Sequence, residues 1–383
     1  MTHRKMLVPL ILAGVALASL ALAFWQWIEG WLFPLHERKR DCSLSHPITV
    51  LKPLKGADGQ TENCLRSWFE QDYRGEVQLL FGVHSADDPA AEVVCSLLAE
   101  FPEADAQLIV CGERLGANAK VSTLVQLERH ARNELLVISD ADVRAPKDLL
   151  AELAAHSTDA GTGLLNPLYR VLAQPSFAAR WEGVSVNADF WTSVLQSRRI
   201  EPARFALGAV MCMRRSDVQR IGGIAALLDY LADDFELGRR TAERVGIVKL
   251  LPVVVDCCHG RESWGHVWRR QLRWARTIRA CRPVAYGLSI VGNTTLWALA
   301  CFVSAPCTWT GVLAAVCFAA RMATAFDNER RLVESTAHLA WFWMPLVKDL
   351  LAAVQWALSF AGNTVEWRGQ RYRIVRGGKM EPA

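Results

Sequence analysis

Leu135-Leu136-Val137-Ile138-Ser139-Asp140-Ala141-Asp142 is the stretch on which the fold turns. Four branched apolar residues followed by a polar cluster read as a short strand buried on both faces. Two carboxylates one residue apart then stand where the strand ends. Hard oxygen ligands in that arrangement suit Mg²⁺ or Mn²⁺, and such an ion neutralises the charge that develops on a departing diphosphate. An isolated Asp-x-Asp also fits an ordinary solvated loop, so the reading depends on its surroundings.

Outward from this point the pattern repeats. Apolar runs at Ile48–Leu51, Val77–Val83 and Gln107–Val110 precede it, and Gly163–Leu168, Phe205–Met213 and Val248–Val255 come after it. Amphipathic stretches such as Asn63–Gln71 and Glu92–Glu100 lie between. Strands alternating with helices predict an α/β fold with a mainly parallel sheet flanked by helices, and ligands at the carboxyl ends of the strands. Asp87-Asp88-Pro89 comes after the second run, where a carboxylate suits hydrogen bonds from a base or ribose; Asp-Asp-Pro equally starts a helix. Asn118-Ala119-Lys120 places a lysine in a loop before a helix, near phosphate or as part of a plain N-cap. Asp233-Asp234-Phe235-Glu236 is a third acidic cluster, suited to taking a proton from an acceptor hydroxyl or to capping a helix. Arg269-Arg270-Gln271-Leu272-Arg273-Trp274 combines diphosphate-gripping guanidinium groups with a flat apolar ring. The same residues would suit a basic amphipathic helix lying on anionic lipid.

The two ends differ from the middle. Met6–Ile28 is almost wholly apolar, long enough to cross ~30 Å of hydrocarbon and too long for a signal-peptide core. Trp25, Trp27 and Trp31 suit an interfacial belt, and the basic flank His36–Arg40 weakly places the adjoining central region in the cytoplasm. After Pro283, Val284–Val303, Thr308–Ala325 and Ala340–Ala361 are three further apolar candidates. If all three span, the basic tail from Arg368 to Lys379 ends outside, against the positive-inside rule, and Lys348-Asp349 lies at mid-depth. The last segment is therefore expected to be re-entrant or interfacial. The expected organisation is an N-terminal transmembrane anchor (1–33), a cytosolic catalytic domain (34–283), a membrane hairpin plus re-entrant helix (284–361) and a basic cytosolic tail (362–383).

Composition agrees with a half-soluble, half-membrane chain. Of 383 residues, 51% are apolar and 21% charged, and the net charge of +4 does not suggest nucleic acid. Eleven scattered cysteines without a C-x-x-C pair read as reduced thiols rather than a zinc site.

The order of these motifs resembles the ceramide glucosyltransferase family, a branch of the inverting GT-A glycosyltransferases. The likeness runs through Leu51-Lys-Pro-Leu-Lys-Gly56, Asp87-Asp-Pro89, Asn118-x-Lys120, Asp140, Gly222-Gly223, Asp233-Asp234, Arg270–Trp274, Arg371-Tyr-Arg373 and Gly377-Gly378. Leu272–Arg279 is similar to bacterial relatives of hopanoid biosynthesis, which pass N-acetylglucosamine to bacteriohopanetetrol. The resemblance implies a GT-A sheet, a UDP-sugar donor and a membrane-lipid acceptor. It implies Asp88 near uridine, Asp140 at metal and diphosphate with Asp142 as an extra ligand, and Lys120, Arg270 and Arg273 on the donor. Asp234 is then the base, with Asp233 and Trp274 beside acceptor or diphosphate. Asp-Ala-Asp in place of Asp-Ser-Gly, and Asn187–Trp191 in place of a Ser-His-Pro stretch, depart from the ceramide enzymes. These departures tilt the expected acceptor toward a bacterial hopanoid, with ceramide and glucose as the alternative. A processive polysaccharide synthase and a lipid-binding scaffold with a degenerate transferase fold are the rival readings.

Overall fold

The computed structural model describes residues 3–38, 45–172, 176–260, 262–334, 341–367 and 369–383. Lys39 and Arg40 of the basic flank, Ala340 and Arg368 lie outside the described residues. The chain opens with α1 (His3–Leu32) and then builds its sheet from β1 (Ile48–Pro53), α2 (Thr61–Phe69), β2 (Val77–Val83), α3 (Pro89–Glu100), β3 (Ala106–Val110), α4 (Ala119–Glu128) and β4 (Leu135–Ser139). After the short β5 (Val143–Arg144) come α5 (Leu149–His156), β6 (Thr162–Leu172), α6 (Phe177–Val184), a π-helical turn at Ser185–Phe190, and α7 (Trp191–Ile200). β7 (Val210–Arg214), α8 (Arg215–Arg220), α9 (Asp233–Arg244) and β8 (Ile247–Cys258) complete this body.

The eight strands run in the order β3-β2-β1-β4-β7-β6-β8-β5. β1, β2, β3 and β4 are mutually parallel, as are β6 and β8; β7 lies antiparallel between β4 and β6. The expected α/β sheet flanked by helices is therefore present, with a mixed second half. β1 and β4 are buried along their whole length, which explains their unbroken apolar runs. Apolar side chains pack on both faces, Trp68, Leu97 and Leu153 on one and Leu124, Leu127 and Leu237 on the other. The expected strand Phe205–Met213 begins only at Val210. Asn166 ties down the residues before it, donating to the Leu207 and Val210 carbonyls and accepting from the Leu207 amide.

The amphipathic α10 (Trp264–Cys281) leads out of the sheet into α11 (Pro283–Leu288), α12 (Thr294–Ser304), α13 (Thr308–Val333) and α14 (Met344–Phe360). Within α1 and α13, Met6–Leu32 and Thr308–Val333 are long and apolar enough to cross a membrane. Pro283–Gly292 and Thr294–Ser304 qualify only as one span bent by 56°. α14, at 17 residues, falls short of that length. Its Lys348 and Asp349 are turned into protein, not lipid. Arg321, from the middle of α13, donates to Asp349 at 2.9 Å and to Asp189 at 2.8 Å, and Lys348 pairs with Asp189. Trp27 and Trp31 donate to Asp327 at 2.7 and 2.9 Å, so the expected belt is hydrogen-bonded to the end of α13.

The last residues form a three-stranded antiparallel sheet of β9 (Thr364–Trp367), β10 (Gln370–Ile374) and β11 (Met380–Pro382). It packs back onto the sheet-bearing body: the Leu231 amide donates to the Gly378 carbonyl at 3.0 Å, the Met380 amide to the Asp229 carbonyl at 2.7 Å, and the Gly377 amide to the Ala280 carbonyl at 3.0 Å.

Candidate active site

Parallel β1, β2 and β4 end at the same edge of the sheet, and the loops after them carry the candidate residues. Asp88 caps α3: its Oδ1 accepts from the Ala90 amide at 2.9 Å and from the Gly56 amide at 2.8 Å. The helix-start reading of Asp-Asp-Pro is thus correct, and it also fixes the carboxylate. Asn118 caps α4 by accepting from the Val121 amide at 3.1 Å, which sets Lys120 in the first turn. The Lys120 ammonium bridges two acids, Asp140 at 2.7 Å and Asp233 at 3.0 Å. Burial opposes its charge, but these carboxylates hold its pKa above the usual lysine range.

Asp140 comes directly after β4, and its amide donates to the Ala209 carbonyl at 3.1 Å. One residue before Ala209, Gly208 meets Asp234: a Cβ built on Gly208 would lie 3.0 Å from Asp234 Oδ2. The glycine thus lets the carboxylate approach the backbone beside Asp140. Burial, reinforced by the neighbouring Asp233, pushes the Asp234 carboxyl up to about 7, while Lys120 and the Phe235 amide pull it down. A carboxyl poised there is suited to take a proton near neutral pH. Burial also raises Asp140, with Asp142 and Asp233 adding to it against Lys120.

Asp142 faces another way. Its Oδ2 lies 3.1 Å from His259 Nε2, and His259 Nδ1 lies 3.3 Å from Glu182. Burial opposes ionisation of Asp142, but the His259 hydrogen bond holds its carboxyl below the usual range. Against burial, Asp142 and Glu182 push the His259 imidazolium up to about 10. Glu182 in turn accepts from Arg270 Nε at 2.8 Å, and Arg270 Nη1 donates to Glu262 at 2.7 Å. Among the described residues, Glu182, His259 and Glu262 are the group of three whose ligand atoms lie within 4.8 Å of one another. Arg270 already neutralises both of its glutamates. With His259 held as an imidazolium between Asp142 and Glu182, the oxygen donors that would suit Mg²⁺ or Mn²⁺ are the Asp140 and Asp142 carboxylates.

Of the residues singled out from sequence, Asp140, Lys120, Asp233 and Asp234 converge. Arg270 is directed to Glu182 and Glu262 instead of Asp140. Arg273 and Trp274 occupy the middle of α10, where Trp274 packs on the same core as Ala141 and Tyr169. Sequence reasoning missed His259, Glu182, Glu262 and Lys52. Lys52, wholly buried in β1, donates to Ser139 Oγ at 3.1 Å and to the Asp140 carbonyl at 2.7 Å, and lies 4.8 Å from the Trp68 ring. Burial pulls its ammonium down to about 8. Its signal was a lone lysine inside an apolar strand. His259 had no local signal beyond its place at the end of a long strand.

Ceramide glucosyltransferase 3 of Caenorhabditis elegans is 26% identical over 218 residues, which is 55% of this chain and 46% of that protein. The ceramide glucosyltransferase of Candida albicans is 32% identical over 114 residues, 27% of this chain and 21% of that protein. The chain thus matches about half the length of these curated relatives, or less. A solved mannosyltransferase from Pyrobaculum calidifontis, in complex with GDP-Man and Mn²⁺, superposes with a TM-score of 0.49 at 19% identity, covering 90% of this chain and 99% of that one. The model of glycosyl transferase family 21 matches residues 10–380, nearly the whole length, and the chain belongs to that family.

Proposed function

We propose that this protein is an inverting, UDP-sugar-dependent glycosyltransferase that moves glucose or N-acetylglucosamine onto the hydroxyl of a membrane lipid. One observation carries the reading. A carboxyl near neutral pKa, Asp234, sits beside the Lys120–Asp140 pair at the strand ends. That body continues through α10 directly into apolar helices.

The chain's own groups divide the work. Asp234 takes the proton of the lipid hydroxyl. The freed oxygen forms its bond to the anomeric carbon as the bond to the diphosphate breaks, and the diphosphate leaves with the electron pair from the opposite face. A single displacement inverts that carbon. Lys120 holds Asp140 and Asp233 in place and supplies positive charge near the leaving group. A divalent ion on Asp140 and Asp142 would neutralise the diphosphate. Arg270, pinned by Glu182 and Glu262, positions the His259 side of the site. The catalytic body is proposed to face the cytoplasm of a bacterial inner membrane, so that the acceptor's tail stays in lipid.

For the acceptor, the Asp-Ala-Asp and Asn187–Trp191 departures favour a hopanoid such as bacteriohopanetetrol. The names of the curated relatives favour ceramide as the second reading. Membranes containing the protein, incubated with UDP-glucose and UDP-N-acetylglucosamine, would be analysed by mass spectrometry of the lipids. A sugar-bearing lipid with release of UDP is expected. Neither product nor UDP release with either lipid class would sink the proposal.

A further inference from the structure

We propose that the C-terminal three-stranded sheet is a wall of the nucleoside pocket, and that Trp367 is the surface on which the base stacks. This rests on the nucleotide-sugar reading above. A cavity of about 500 Å³ opens beside the Asp88 cap and is lined by Lys55, Asp88 and Arg114 from the catalytic body and by Trp367, Gln370 and Tyr372 from the tail. That volume is in the range of small-molecule sites. Its chemistry is divided as a nucleoside is divided. One side offers three carboxylates, Asp87, Asp88 and Glu113, suited to base or ribose hydrogens, and two cations, Lys55 and Arg114. The other offers an indole and a phenol, suited to the flat face of a base.

The wall is built and held in register. Tyr372 Oη accepts from Arg114 Nη2 at 2.9 Å, and Arg114 Nε donates to the Gly116 carbonyl at 2.7 Å. Below the cavity, Val365, Tyr372, Ile374 and Met380 pack with Leu231 in a core of their own. Arg276 and Arg279 of α10 donate to the carbonyls of Thr364 and Gly362 at 2.5 and 3.2 Å. Asp88 Oδ1 is already taken by two amides, so its second oxygen is the one left for a ligand hydrogen. The backbone bonds to Asp229 and Leu231 tie this wall to the loop that leads into Asp233 and Asp234. Donor binding and the proposed base thus share one support.

The test uses the full chain in lipid nanodiscs, with UDP as the calorimetric probe and GDP as a second arm. Trp367→Ala and Trp367→Leu are each expected to weaken UDP binding about tenfold, and Trp367→Phe to stay within about threefold of the unaltered chain. Leucine keeps the apolar contact with the tail core but has no stacking face, so it separates loss of stacking from loss of folding. The donor KM should rise in parallel while kcat at saturating donor changes less than about twofold. UDP binding unchanged in Trp367→Leu, yet weakened by Asp88→Ala, would overturn the wall and leave the donor reading standing. An unaltered chain that binds neither UDP nor GDP would remove both.

Discussion

Asp142 Oδ2 and His259 Nε2 lie 3.1 Å apart, although 117 positions separate them in the chain. The contact joins the loop after β4 to the end of β8 and orients the Asp142 carboxylate. His259→Ala should reduce Mn²⁺ affinity by roughly 10–100-fold, as loss of a group that orients a ligating carboxylate does. Electron paramagnetic resonance of free Mn²⁺ in a titration checks this directly. Asp142→Asn should act in the same direction. Unaltered affinity in both variants would place the ion elsewhere.

Asp234→Asn should lower turnover by about 10²–10⁴-fold, the range for loss of a general base, with donor binding nearly intact. Because the Asp234 carboxyl is raised to about 7, it is protonated below that pH and unable to accept a proton. Turnover of the unaltered enzyme should therefore fall about tenfold per pH unit below 7 and level off above it. A flat profile between about pH 5 and 8 would exclude Asp234 as the titrating base.

Lys120 pulls the Asp234 carboxyl down, and its removal has a signed consequence. In Lys120→Met the carboxyl should titrate higher, so the acidic limb of the pH profile moves toward alkaline pH. The same change leaves Asp140 and Asp233 without their shared cation. Where a buried pair is broken this way, loss of about 3–5 kcal/mol is typical, and partial exposure of Asp140 reduces it here. Thermal unfolding and a pH–rate profile on the same sample separate the two effects.

Arg321 serves Asp189 and Asp349 at once inside the apolar helical block. Arg321→Ala should destabilise that block by about 3–5 kcal/mol by leaving both carboxylates short of a partner. Restoring activity by adding donor would not occur, because the defect is in assembly. Reduced thermal stability in detergent, with UDP affinity unchanged in the surviving fraction, is the expected pattern.

Much of the architecture was legible because burial writes itself into local sequence. The runs Leu135–Ser139 and Val77–Val83 are strands buried on both faces, and they leave no room for another period. Asp140, Lys120 and Asp233-Asp234 were legible for a related reason, since strand ends and helix starts are marked by polar residues. His259 was not, because its partners come from the loop after β4 and from α6, and no spacing records a tertiary contact. Arg270 was read by its type, and the two glutamates that claim it lie on other segments. The tail shows a further limit. Gln370–Ile374 looks like a charge run by composition, but Tyr372 and Ile374 are buried and Arg371 and Arg373 exposed, which is the alternation of a strand packed on one face.

The hydrogen bonds from the tail to Asp229, Leu231 and Ala280 also constrain parity. Both ends of the apolar block, Arg282 and Asn363, are fastened to the same body. Whichever helices between them enter the bilayer, the chain must cross it an even number of times. If the bent pair is one span, it and α13 would supply two such crossings. An insertion error that adds or drops one passage would strand β9–β11 across the membrane from the sheet. The cavity beside Asp88 would then lose Trp367 and Tyr372 without any change in sequence.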